Sequence, residues 1–227
     1  EMFKTKKFFV VFTQIASGVG FGLVALSLQL PHFFACSIAL LAVIAFSGAT
    51  HDIATDGVYM TELSKSDQAK YIGWQGAFYN IAKIVASGGL VYLAGWLVKR
   101  FGGVEGASGE VVYEANVHAW MIVMFVMAIV MISLGLYHTR MLPSGGAATS
   151  EATSFKETFD KLVEVILDFF KKKHIWYYIA FIILYRFAEG FVMKIVPLFL
   201  KAGREIGGLG LSEQEIGIYY GTYGAAA

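Results

Sequence analysis

The amino-acid sequence predicts an all-α membrane protein. Three observations carry that expectation. Of 227 residues, 57% are apolar and only 15% are charged, against roughly 25% charged in an ordinary soluble domain. Mean hydropathy is +0.61. The charges are also segregated, leaving long runs with few or none. Period-two alternation, which a transmembrane barrel requires, is absent. Backbone polar groups in lipid must be satisfied within their own segment, so the apolar runs read as helices. Eighteen basic and 17 acidic residues leave a net charge of +1, so no basic field exists to hold nucleic acid. The single cysteine, Cys36, excludes an internal disulfide framework.

A bilayer core of about 30 Å needs about 20 helical residues to cross it. Phe8 to Leu30 is a run of 23 residues without a charge. Phe33 to Thr50 supplies 18 more, and the pattern continues through His51 and Asp52 towards Met60. Trp74 to Val98 spans 25 residues with one charge, Lys83. Val117 to Tyr137 spans 21 residues with no acid, Lys or Arg. Between Arg140 and Thr153 the chain is small and polar, including Pro143-Ser144-Gly145-Gly146, and reads as a flexible linker.

An amphipathic helix over 154–173 follows. Ser154-Phe155-Lys156-Glu157 fits a capping box, in which Ser and Glu side chains satisfy free amides at the helix start. Phe155, Phe159, Leu162, Val163, Ile166, Phe169 and Phe170 recur at helical spacing opposite a charged face. Such a helix is expected to lie on the bilayer surface, with Lys171-Lys172-Lys173 against an anionic inner leaflet. Ile175 to Leu200 is a fifth run, of 26 residues, carrying Arg186, Glu189 and Lys194. A sixth begins at Glu213.

Lys and Arg concentrate on cytoplasmic loops. With the segment before the first run inside, 11 basic residues fall inside, 4 outside and 3 within spans. That bias orients the chain and makes the linker and amphipathic helix cytoplasmic. The predicted organisation is therefore 1–139 as one helical set, 140–174 as a cytoplasmic connection, and 175–227 as the start of a second set.

A charge in hydrocarbon costs at least about 2.5–3.5 kcal/mol, so charges inside spans mark a cavity or a partner. Asp52 and Asp56 are four apart and share a helical face, with Tyr59 three residues on. Nearby carboxylates repel, which favours holding a proton. Lys83, flanked by Tyr79 and Asn80, sits near mid-membrane and is expected to pair with an acid or an anionic substrate. Arg186 and Glu189 are three apart and able to pair within one helix, with Tyr185 beside them. A solvated or purely structural role is the competing reading for each group. His32, His118, His138 and His174 lie near span ends and read as interfacial residues. No Cys or His pair has metal-ligand spacing, and no Gly-x-Ser-x-Gly or His-Glu-x-x-His occurs. The sequence thus calls for no metal, no cofactor and no enzyme activity.

Ser47-Gly48-Ala49-Thr50-His51-Asp52-Ile53-Ala54-Thr55-Asp56-Gly57 resembles the fourth transmembrane helix of AmpG-type muropeptide permeases, a family of the major facilitator superfamily. The resemblance continues at Ala86-Ser87-Gly88-Gly89-Leu90, at Leu184-Tyr185-Arg186-Phe187-Ala188-Glu189, at Phe199-Leu200 and at Glu215-Ile216-Gly217. It implies a partial major facilitator fold, with this chain covering about six of 12 helices, roughly the third to the start of the eighth. It further implies a monomeric proton-coupled importer in the inner membrane of a Gram-negative bacterium. The family's substrate is N-acetylglucosaminyl-anhydro-N-acetylmuramic acid, with or without peptide. Asp52, Asp56 and Glu189 are then the candidate proton carriers. His51, Gln75, Tyr79, Asn80, Lys83, Tyr185 and Arg186 are the candidate substrate-binding residues. This chain departs from the family pattern at His51, where Gln is frequent, and at Lys83, where a small residue is usual; a neighbouring basic position is Ile81 here. The acetyl-CoA transporter family is distantly similar. A transporter of another anionic solute, or a membrane module that transports nothing, remains the alternative.

Overall fold

The computed structural model describes residues 5–146 and 155–224, without the side chains at 155, 157, 158, 162, 188 and 189. Regular structure among these residues is helical. Helix α1 is Lys6–Ser27, α2 is Phe33–Glu62, and α3 runs Lys65–Arg100 with a π-helical stretch at Val85–Leu90. Helix α4 is Gly109–Met141, α5 is Phe155–Lys171 and α6 is Ile175–Lys201. Helix α7 is an α-helical turn, Glu213–Ile216, that continues as a π-helix over Gly217–Tyr223. The residues form two units, one of α1–α4 with α7 and one of α5 and α6.

The helix ends follow local chemistry rather than the limits of the apolar runs. Helix α3 begins nine residues before Trp74, where the Ser64 hydroxyl accepts the Asp67 amide proton at 3.2 Å. Helix α4 begins eight residues before Val117, where Ser108 accepts from Val111 at 3.4 Å. A hydroxyl cap lets polar turns continue the helix beyond the apolar segment. The capping box expected at Ser154 lies outside the described residues. A capping box does occur at Ser212: its hydroxyl accepts the Glu215 amide while Glu215 Oε2 accepts the Ser212 amide at 2.9 Å.

Helices α1 to α4 are each long and apolar enough to cross a membrane. Helix α6, at 27 residues, has a length of about 40 Å. The distribution of side-chain sizes agrees with a lipid surround. The interior is made of small residues: Ala25, Ala94, Ala115, Ala119 and Ser17 are buried, whereas Phe34, Phe46, Ile129 and Trp74 are exposed. No large side chain is fully buried among the described residues. In water such a surface would aggregate; in a bilayer small residues let helices approach closely while bulky ones meet lipid.

Helix α1 lies between α2 and α4. On the α4 side, a Cβ at Gly18 would stand 2.6 Å from Ile132 Cγ1, so glycine sets that approach. On the α2 side, Ser17 Oγ donates to Ser47 Oγ at 3.0 Å, and Ser47 Oγ donates to the Thr13 carbonyl at 3.0 Å. Hydrogen bonds between membrane helices average about 0.6 kcal/mol in double-mutant cycles. A Ser17→Ala/Ser47→Ala cycle, read by unfolding in micelles, is expected to give a coupling of about that size. Zero coupling would mean the two hydroxyls do not hold α1 to α2.

Near the end of the bundle where α1 begins, Lys6 Nζ donates to Thr61 Oγ1. Glu62 Oε1 accepts the Gly145 amide proton at 2.7 Å, with Gly145 at φ +70° as the chain turns back after α4. The last turns of α3 pack on α4 through Leu97, Val98, Ala115 and Ala119. In the second unit, α5 and α6 are joined through His174, at φ +61°, and the Phe170 and Trp176 rings stack at 5.3 Å. Helix α5 exposes Phe159, Ile166, Phe169 and Phe170, the apolar face the spacing predicts.

Candidate functional site

The residues predicted to bind substrate and protons lie on three helices. On α2, helical geometry puts Asp52 and Asp56 one turn apart, and both are exposed. The Asp52 carboxylate is 85% exposed and stands 3.7 Å from His51 Nδ1. On α3, Gln75, Tyr79 and Lys83 follow one another at four-residue spacing, with Asn80 adjacent. Tyr79 is 71% exposed, and Lys83 is partly covered. No ion pair to Lys83 Nζ occurs among the described residues. The Lys83 carbonyl does accept the Ser87 hydroxyl at 2.7 Å. Tyr59 turns to the α2–α3 connection, where its hydroxyl donates to the Gln68 carbonyl at 2.7 Å. On α6, Tyr185 and Arg186 are exposed, and the Glu189 side chain lies outside the described residues.

The α2 and α3 sets are not brought together. The first 20 residues of α3 bury no side chain, and the polar faces of both helices are uncovered within their unit. Two cavities of about 260 Å³ lie at opposite ends of the bundle. One is lined by Val10, Val58, Glu62 and Leu142, and the other by Leu28, Gln29, Tyr113 and His118. Neither is lined by the predicted residues.

Compared with known proteins, the chain matches no family model, no curated protein and no solved structure. The chemistry must therefore be read from the side chains themselves.

The structure also brings together a polar cluster that the sequence reading missed. His138, expected at an interface, instead reaches α1, where its Nδ1 lies 2.8 Å from Gln14 Oε1. Gln14 is only 6% exposed, and Thr13, Ser17 and Ser47 are buried beside it along the α1–α2 contact. The amide oxygen of Gln14 only accepts, so His138 Nδ1 carries the proton. On α2, one helical turn beyond Ser47, His51 buries its Nε2 without a hydrogen-bond partner among the described residues. A sequence signal existed: Thr13-Gln14 and Ser17 interrupt an otherwise apolar run. It was overlooked because none of those residues carries a charge.

Proposed function

We propose that this protein is a proton-coupled secondary transporter of the major facilitator superfamily. It imports anhydro-muropeptides across the inner membrane of a Gram-negative bacterium, taking part in peptidoglycan recycling. On this reading α1 to α4 are the third to sixth of 12 helices, and α6 and α7 are the seventh and the start of the eighth.

One observation carries the proposal. Two membrane-length helices present exposed polar side chains, Asp52 and Asp56 on α2 and Gln75, Tyr79 and Asn80 on α3, with His51 and Lys83 partly covered beside them. Groups of this kind facing hydrocarbon would be costly, and they persist where they line a water-filled passage or meet a ligand. The composition suits an anionic sugar, with amides and phenols for hydroxyls and Lys83 for a carboxylate. The family resemblance around Asp52 supplies the substrate class. Rocking of two helical halves about a midplane site would give alternating access.

The test is uptake of labelled anhydro-muropeptide into proteoliposomes holding the protein. Accumulation should require an inward proton gradient. Lys83→Gln removes a charged hydrogen bond worth about 1.5–3 kcal/mol, so apparent affinity should fall roughly ten- to hundredfold. Folded protein without uptake would overturn the muropeptide reading. Loss of affinity for other organic anions in the same variant would favour a transporter of a different anionic solute.

A further inference from the structure

We propose that an aminophospholipid, with a primary-ammonium headgroup of the phosphatidylethanolamine kind, binds at the end of the bundle where α1 gives way to α2 and α4 begins. The proposal is independent of the transport reading above.

Two cavities lie side by side there. One, of about 260 Å³, is lined by Leu28, Gln29, Tyr113, Glu114, Val117 and His118. The other, of about 190 Å³, shares Leu28, Tyr113 and Val117 and is completed by Phe33, Asn116 and Trp120.

The first cavity is rich in acceptors. His118 Nδ1 lies 2.9 Å from the Glu114 carbonyl oxygen. A carbonyl only accepts, so Nδ1 carries the proton and the neutral ring keeps Nε2 as an acceptor. Gln29 Nε2 donates to Met121 Sδ at 3.3 Å, which leaves the amide oxygen of Gln29 as an acceptor. No ion pair to the Glu114 carboxylate occurs among the described residues. A carboxylate, an imidazole nitrogen and an amide oxygen on one cavity call for a cation with several N–H donors. A primary ammonium has them, and its hydrogen bond to a carboxylate is of the strong, charge-assisted kind. A quaternary ammonium has none.

The second cavity asks for an apolar chain beside that ammonium. Its one polar residue, Asn116, turns its amide back on its own helix, donating to the Val112 carbonyl at 2.8 Å. The depth suits a lipid. The charge-free run of α4 starts at Val117 and that of α2 at Phe33, so both cavities lie where these helices enter the bilayer. Tyr113 and Trp120 are the residue types that favour this level. The end of α3 abuts the site, because the Phe101 ring lies 5.9 Å from that of His118. Exposed Lys99 and Arg100 form the last turn before Phe101. A lipid phosphate would meet cations there while its ammonium meets Glu114. Glu105 and Glu110, the other acids at this end, line neither cavity.

Native mass spectrometry of the full chain tests this, with micelles titrated with phosphatidylethanolamine, phosphatidylcholine or phosphatidylglycerol. Phosphatidylethanolamine is expected to bind at least about tenfold more tightly than phosphatidylcholine, because only its ammonium donates hydrogen bonds. Glu114→Gln alters an exposed side chain and should abolish that preference while leaving Tm unchanged. Gln29→Leu, on the other wall, should weaken the preference and keeps the test open if the first variant fails to fold. Equal binding of the three lipids, or a preference that survives both variants, would overturn the proposal. Free ethanolamine competing at the same concentration as the lipid would overturn the lipid as occupant and assign the site to a soluble amine.

Discussion

Gly217→Ala is expected to lower Tm in detergent by about 10 °C. Helix α7 crosses α3 where both are π-helical, and the crossing is made by backbone. A Cβ at Gly217 would stand 2.7 Å from the Tyr92 amide nitrogen and 2.8 Å from the Gly88 carbonyl oxygen. Neither atom sits on a flexible side chain, so α7 must retreat as a body. A Cβ at Gly221 would collide likewise with the Ser87 carbonyl, and the Ser87 hydroxyl donates across the crossing to the Gly221 carbonyl at 3.3 Å. Overpacking of this kind costs about 3 kcal/mol, and for a chain of this size each kcal/mol corresponds to roughly 2–4 °C. Gly89→Ala is the matched control. Gly89 lies in the same π-helical stretch, but its added Cβ would meet nothing within 4 Å. Its effect should stay within about 0.5 kcal/mol. Equal Tm values for the two variants would show that α7 does not rest on α3 in solution.

Asp52→Asn is expected to abolish uphill accumulation. One proton crossing 100 mV supplies about 2.3 kcal/mol, enough for roughly a fortyfold concentration ratio. Asparagine keeps the size and polarity of the side chain but cannot exchange a proton. Asp52 is 85% exposed, so its loss should leave the fold intact. The accumulation ratio should drop from roughly fortyfold to one, while exchange of labelled for unlabelled substrate continues. Exchange and accumulation lost together would point to substrate contact at Asp52 rather than proton coupling. Full accumulation in the variant would remove Asp52 from the proton path.

The positions of the membrane helices were legible in the sequence. A charge-free stretch such as Phe8 to Leu30 has one low-energy arrangement in lipid, because every amide must find its partner a turn away. The amphipathic face of α5 was legible for the related reason that helical spacing alone places Phe159, Ile166 and Phe170 together. Helix ends were less so. Ser64 and Ser108 extend α3 and α4 well before their apolar runs, an effect of a single hydroxyl rather than of hydropathy.

The candidate residues stood out in the sequence by charge or by family resemblance, and their placement did not. Asp52, Asp56 and Lys83 stand out because charge is costly in a membrane wherever it points. Which way a helix turns a side chain depends on its neighbours. Helix α2 buries Ser47, Ala54 and Val58 against the bundle and thereby leaves Asp52 and Asp56 outside. Helix α4 turns His138 inward to Gln14, although its place near the end of an apolar run suggested an interfacial residue. The sequence by itself determined that this chain is helical, membrane-length in its apolar segments and equipped with ionisable groups there, because burial in lipid constrains each segment independently. Only the tertiary structure decided that His138 turns inward to Gln14 while Asp52 faces out. That arrangement depends on how three helices rotate against one another, and the rotation is set by small residues such as Ser17, Gly18 and Ser47 that no hydropathy pattern records.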